Sequence, residues 1–121
     1  MKYFTLDELT RTNEQVDNRV LSWNTIRNLA ELSTQLDRLR EMYGEPIVVT
    51  SGYRCQRLNE IVGGVKNSLH KYGLAADIRP ELHPAASFRY RLEDLNKCIK
   101  AMGDVFTEVV YHSTYTHVAI E

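Results

Sequence analysis

Apolar residues recur at three- and four-residue steps between Ser22 and Gly44, which is the spacing of one face of an α-helix. Ser22 is a candidate N-cap, Gly44 is a candidate stop, and Pro46 prevents the helix from continuing. We therefore predict one long helix with a solvated charged face. Its apolar positions are Ile26, Leu29, Leu32, Leu36, Leu39 and Met42.

Three shorter helices are predicted from capping residues and apolar spacing. Thr5 and Glu8 have the spacing of a capping box, so a short helix should begin at Thr5. A second helix is predicted over residues 55–62, and a third begins at Pro84 and runs to residue 102. The apolar positions along these helices are Leu9, Leu58, Ile61, Val62, Leu92, Leu95, Ile99 and Met102.

Four segments have the composition or the period-two pattern of β-strands. They cover residues 47–50, 74–78, 105–111 and 116–120, and residues 112–114 join the last two as a hairpin. The stretch from Arg79 to Pro84 is predicted to be a linker. We therefore expect one α+β domain over residues 1–121, with helices packed on a small, mainly antiparallel sheet.

Composition narrows the classes of function. The chain has 121 residues, 43% of them hydrophobic, which is enough for one core. A net charge of -1 without a basic arm gives no reason to expect a nucleic acid partner. No apolar run approaches the length of a membrane span, so no membrane partner is expected. The acidic N-terminal stretch does not resemble a signal peptide, so we expect synthesis in the cytoplasm.

The two cysteines give no indication of a functional site. Cys55 and Cys98 lack the C-x-x-C spacing of redox and soft-metal sites. We therefore expect both thiols to be reduced and structural.

Two histidines and one aspartate are candidate metal ligands. His70 and Asp77 would lie about 10 Å apart along a helix and more than about 20 Å apart in a strand, so the chain must turn between them if both bind one ion. Gly73 can take a positive φ midway, and His117 lies in a predicted strand. Two imidazoles and one carboxylate with an open fourth position are the ligand set of a catalytic zinc site. A single His, such as His83, is more often a packed or surface residue.

Three motifs resemble those of the M15 zinc peptidases, which include D-alanyl-D-alanine carboxypeptidases and phage endolysin peptidases. They are S-G-Y-R at residues 51–54, S-x-H-x-x-G-x-A-x-D at residues 68–77, and T-H-V at residues 116–118. The resemblance covers the chain from about residue 47 to its end.

The resemblance implies a set of residue roles and a substrate. His70, Asp77 and His117 would be the zinc ligands, and Arg54 would hold a carboxylate or carbonyl of the substrate. The substrate would be a peptidoglycan stem peptide, cut by a D,D-carboxypeptidase or an endopeptidase. The protein would act as a monomer, at the cell wall after phage-type release.

The general base of this family has no obvious counterpart. Members carry a carboxylate shortly before the last histidine, but the residue three positions before His117 is Thr114, which cannot accept a proton from water. His112 stands at the end of the preceding strand, and an imidazole accepts protons near neutral pH. Glu108 is four residues earlier and so lies on the same face of that strand. We therefore predict His112 as the base, with Glu108 as a possible partner.

Two other functions remain open at this stage. The chain could be a zinc-binding or wall-binding module that retains the fold without hydrolysis. A metal-free interaction domain is a third possibility, but it leaves the ligand pattern unexplained. Arg54 also has a structural alternative, an ion pair with Glu60.

Overall fold

A computed structural model describes all 121 residues. Two short 3₁₀ helices, Leu69–Tyr72 and Gly103–Val105, accompany four α-helices and four strands. The α-helices are α1 (Leu6–Thr10), α2 (Trp23–Tyr43), α3 (Gln56–Ile61) and α4 (Phe88–Ala101). The strands are β1 (Ile47–Ser51), β2 (Ala75–Pro80), β3 (Glu108–Tyr111) and β4 (Thr116–Ala119).

The four strands form one antiparallel sheet in the order β1-β2-β4-β3. Ala76, Ile78 and Val118 belong to the hydrophobic core together with leucines of α2 and α4. Side chains alternate between the two faces of a strand, so Asp77 and His117 project from the face opposite to that core. The predicted α+β fold is confirmed, and its sheet separates the core from a polar face.

No helix combines the length and the apolar character that a membrane crossing requires.

The first helix supports the segment that leads to Arg54. Its predicted capping box is present, since the Glu8 amide donates to Thr5 Oγ1 at 3.1 Å. The Leu9 carbonyl accepts from the Tyr53 amide at 2.7 Å. A Cβ on Gly52 would lie 2.2 Å from that same carbonyl oxygen, so only glycine permits this approach.

Two predicted boundaries around β2 and α4 are wrong. Arg79 and Pro80 belong to β2 rather than to a linker, because β1 continues opposite them in the register Val48↔Arg79 and Ile47↔Pro80. The fourth helix begins at Phe88 with Ser87 as N-cap, and not at Pro84. Proline is compatible with the first turn of a helix but does not start one by itself.

Strand β3 is also shorter than predicted. Residues 103–105 form a 3₁₀ helix, and pairing with β4 begins only at Glu108. Ser22 occupies the N-cap of α2, but its side chain makes no capping hydrogen bond.

The apolar pattern overestimates burial where helices end. Met42 in the last turn of α2 is 51% exposed, because Tyr43 takes the place that packs against the core. Ile61 and Val62, at the end of α3, are also exposed, whereas Leu58 is buried.

Because burial differs along α2, alanine substitutions at Leu36 and Met42 should lower the free energy of unfolding by different amounts. Leu36 is fully buried, so Leu36→Ala should lower the free energy of unfolding by about 2–5 kcal/mol. Met42→Ala removes a similar side chain from the surface and should cost less than about 0.5 kcal/mol. Urea denaturation measures both values, and equal losses would contradict the packing described here.

Candidate metal centre

His70 is positioned by a short 3₁₀ helix and the glycine that ends it. Ser68 Oγ accepts from the His70 amide at 3.2 Å and caps this helix. Gly73 follows with φ +74°, and a Cβ there would lie 2.9 Å from the Leu29 side chain. The predicted turn at Gly73 is therefore present, and it leads the chain from His70 into β2.

The His70 ring has one satisfied and one unsatisfied nitrogen. Nδ1 lies 2.7 Å from the Gly52 carbonyl, which can only accept, so Nδ1 carries the proton and Nε2 has a free lone pair. The side chain is only 2% exposed, and Nε2 has no hydrogen-bond partner. It lies 3.3 Å from Asp77 Oδ1, which is also an acceptor. A cation between these two atoms would satisfy both of them.

Asp77 and His117 are brought together by strand register. They are directly paired between β2 and β4, and His117 Nδ1 lies 2.9 Å from Asp77 Oδ1. Burial raises the pKa of the Asp77 carboxyl. The hydrogen bond with His117 is the largest of the effects that oppose burial, and together they hold the pKa well below its usual range. Asp77 is therefore ionised and available as a ligand.

The three side chains offer the donor set of a zinc site. One ligand atom from each of His70, Asp77 and His117 lies within 4.8 Å of the others. Two nitrogens and one carboxylate oxygen suit zinc, and the unsatisfied Nε2 of buried His70 is the feature that a bound cation would explain. The residues present therefore fit the metal.

The second nitrogen of His117 is held by Glu108. Nε2 lies 2.5 Å from Glu108 Oε1, and the Glu108 side chain is half exposed. The hydrogen bond to Asp77 and, after it, the one to Glu108 raise the pKa of His117. A carboxylate on the outer nitrogen of a metal-ligating histidine is a common arrangement that fixes its tautomer and ring orientation.

Arg54 borders the same group of side chains. Its guanidinium donates to Ser51 Oγ at 3.0 Å, to Asn59 Oδ1 at 3.4 Å and to Asp77 Oδ2 at 3.4 Å. Its side chain is 14% exposed. The alternative ion pair with Glu60 is wrong, since Glu60 instead accepts from Gln56.

His112 lies at the mouth of the site, just after β3. Its amide donates to the Tyr115 carbonyl at 3.0 Å, and its ring stacks on that of Tyr115 with centroids 4.3 Å apart. His112, Glu108 and Arg54 line one open cleft of about 260 Å³ together with the three candidate ligands. Thr114 does not line this cleft but faces a neighbouring recess. Every predicted site residue is thus brought to one place.

The groups that hold Arg54 and His70 in place were not predicted from the sequence. They are the Gly52 carbonyl and the side chains of Ser51, Asn59 and Asn18. Asn18 donates to the Tyr53 carbonyl and accepts from the Cys55 amide, and so fixes the backbone on both sides of Arg54. Ser51 and Gly52 belong to the S-G-Y-R motif and could have been found there. Asn18 carries no sequence signal, because it acts on residues 35 and 37 positions away, whereas Asn59 contacts Arg54 only five residues from it.

Comparison with known proteins agrees with this geometry. Residues 2–119 match the model of a family described as Peptidase M15. The chain belongs to the M15 peptidase family. Over 77 residues it is 39% identical to the zinc D-Ala-D-Ala carboxypeptidase of Streptomyces albus G. That match covers 62% of this chain and 30% of the relative, so the chain spans less than a third of that protein's length.

The family membership confirms the resemblance drawn from the three motifs and identifies the chain as a metallopeptidase relative. The prediction of a zinc cofactor is also confirmed, by the family, the zinc carboxypeptidase relative and the His-Asp-His group together. The individual roles of His70, Asp77, His117, Arg54, His112 and Glu108 stay predictions.

The geometry predicts which substitutions abolish zinc binding. Protein purified without chelator or nickel resin should contain about one zinc per chain, and His70→Ala, Asp77→Ala or His117→Ala should reduce this well below one. His83→Ala is the matched control, because His83 is exposed and outside the cleft. Elemental analysis gives the ratio. Full zinc content in the triple-alanine variant would rule out this ligand set.

Proposed function

We propose that the chain is a zinc-dependent peptidase that hydrolyses peptidoglycan stem peptides, as a D,D-carboxypeptidase or an endopeptidase. The observation that carries the proposal is the group of two imidazoles and one buried carboxylate, with ligand atoms within 4.8 Å of one another, in an open cleft beside an arginine. Membership of a peptidase family and likeness to a zinc D-Ala-D-Ala carboxypeptidase support the choice of substrate.

His70 Nε2, the Asp77 carboxylate and His117 would hold the metal. Held there, zinc would supply Lewis-acid polarisation of a scissile carbonyl and would lower the pKa of water enough to give a nucleophile at neutral pH. The chain fixes both histidines through their outer nitrogens, His70 by the Gly52 carbonyl and His117 by the Glu108 carboxylate. Neither ring needs to reorient before it can bind an ion, which lowers the entropic cost of assembling the site.

His112 is our candidate for the general base. It lines the cleft without being bonded to any of the candidate ligands, so its ring is available to exchange protons with water and the leaving amine. Stacking on Tyr115 and the backbone bond from its own amide restrict its position. Glu108 is better placed to orient His117, because its carboxylate already contacts His117 Nε2.

Arg54 would bind the substrate. A guanidinium has five N–H donors, and the three contacts to Ser51, Asn59 and Asp77 leave about two for a ligand. Those contacts also hold the planar group rigid, so little side-chain entropy is lost when a carboxylate or carbonyl binds. Placed within reach of Asp77, it would orient a peptide across the metal ligands.

The test of this function is hydrolysis by base variants that keep their zinc. His112→Ala should reduce cleavage of a stem peptide by about 10²–10⁴-fold, the usual cost of losing a general base, with zinc content unchanged. His83→Ala, which removes an exposed histidine outside the cleft, should retain wild-type activity. Mass spectrometry of the products measures the rate and identifies the bond cut.

Three outcomes of this assay would change the account. Turnover that survives His112→Ala would remove His112 from the mechanism. A loss of about 10³-fold or more in Glu108→Gln with zinc retained, beyond the roughly 10–100-fold expected from losing the contact with His117, would then identify Glu108 as the base. Zinc-loaded wild-type protein that cuts no stem peptide at neutral pH would favour a non-catalytic zinc- or wall-binding module.

A further inference from the structure

A second recess adjoins the metal cleft. It has a volume of about 450 Å³ and is lined by Thr50, Arg79, Leu82, Phe88, Thr114 and Tyr115. Tyr115 lines both this recess and the metal cleft, so the two adjoin at that residue. None of the roles assigned so far uses this recess.

Strand register places the recess on the same face of the sheet as the candidate ligands. Asp77 is paired with His117, and Ile78 with Thr116. Arg79 and Tyr115 are each two positions from this Asp77–His117 pair, and alternate residues project from the same face of a strand. Two residues along a strand span about 7 Å, so Arg79 lies one or two peptide residues away from the ligands.

Arg79 lacks a carboxylate partner. Its guanidinium donates from Nη1 to the Pro80 carbonyl at 2.9 Å and forms no ion pair. No acidic side chain lines the recess, whose other walls include Leu82 and Phe88. Arg79 is half-buried as a residue, and its guanidinium has no counter-charge among the residues that line the recess. A carboxylate is the ligand that its planar fork binds best.

The two arginines lie in different directions from Asp77. Arg54 follows the end of β1, and its amide donates to the carbonyl of His70, which precedes β2. Arg79 lies further along β2, opposite Val48 near the start of β1. A peptide with one end bound to Arg54 that runs past the candidate metal ligands would therefore place its other end near Arg79.

We propose that this recess is a substrate subsite for an acidic residue one or two positions from the cut bond. The side-chain carboxylate would pair with Arg79, and the aliphatic part of the same residue would pack on Leu82 and Phe88. The inference rests on the proposed function, since it identifies which stem peptides the site prefers. Peptides with that carboxylate converted to a carboxamide would be poorer ligands.

The experiment measures binding with a matched pair of peptides. Two stem-peptide analogues carry a reduced, uncleavable bond at the scissile position and differ only in a side-chain carboxylate or carboxamide. Zinc-loaded wild type should bind the acid about tenfold more tightly than the amide in calorimetric titration, as expected for a charge-assisted hydrogen bond in a partly solvated site. Arg79→Gln should bring this ratio close to one and leave the affinity for the amide unchanged. Arg27→Gln, which removes an exposed arginine of α2, should keep the wild-type ratio.

Two results would overturn the subsite. The first is an acid-to-amide affinity ratio near one in the wild type, a result that requires no variant. The second is a tenfold ratio that persists in Arg79→Gln. Hydrolysis of the parent, cleavable peptides is measured in parallel with binding. The two measurements together distinguish failure of the subsite from failure of the proposed peptidase function. Cleavage without acid preference would reject the subsite alone, and acid preference without cleavage would reject hydrolysis alone.

Discussion

A buried carboxylate, that of Asp77, determines how the polar face of this protein is arranged. An ionised carboxylate taken out of water costs several kcal/mol unless partners compensate for its charge. Asp77 is 7% exposed, and its charge is compensated by contacts with His117 and Arg54, which lie on separate segments of the chain. The same arrangement leaves His70 Nε2 facing an acceptor without a proton between them. A divalent cation resolves this conflict, which is why we regard the cluster as a metal centre rather than a structural ion pair.

The fold positions His117, His70 and Arg54 by three devices. Antiparallel register places His117 beside Asp77, the turn at Gly73 returns His70 toward the start of β2, and the Ser51–Arg54 turn positions the guanidinium. The Ser51–Arg54 turn is possible because Gly52 has no Cβ and so allows the Leu9 carbonyl to approach closely. Through this contact α1 supports the site without lining it. The core and the site occupy opposite faces of one sheet. Successive side chains of β2 and β4 point alternately into the core and into the site.

Much of this arrangement could be predicted from sequence because it depends on local signals. The glycine between His70 and Asp77, the capping box at Thr5 and the strand pattern around His117 each have a mechanism that acts over a few residues. What could not be predicted depends on distant partners. Arg79 and Pro80 extend β2 because β1 lies beside them, Met42 is exposed because Tyr43 packs inward, and Asn18 acts on Tyr53 across 35 residues of sequence. The alternative ion pair of Arg54 with Glu60 was wrong for the same reason, since proximity in sequence favours Glu60 over Asp77, which lies in β2.

The proposed peptide hydrolysis would depend on zinc, and metal removal with readdition tests this dependence most directly. Wild-type protein would be assayed on a stem peptide ending in D-Ala-D-Ala before chelation, after chelation, and after return of about one equivalent of zinc. We expect cleavage to be lost on chelation and restored by zinc, with circular dichroism used to verify that the chain remains folded. Cleavage that continues unchanged in metal-free, folded protein would contradict the account.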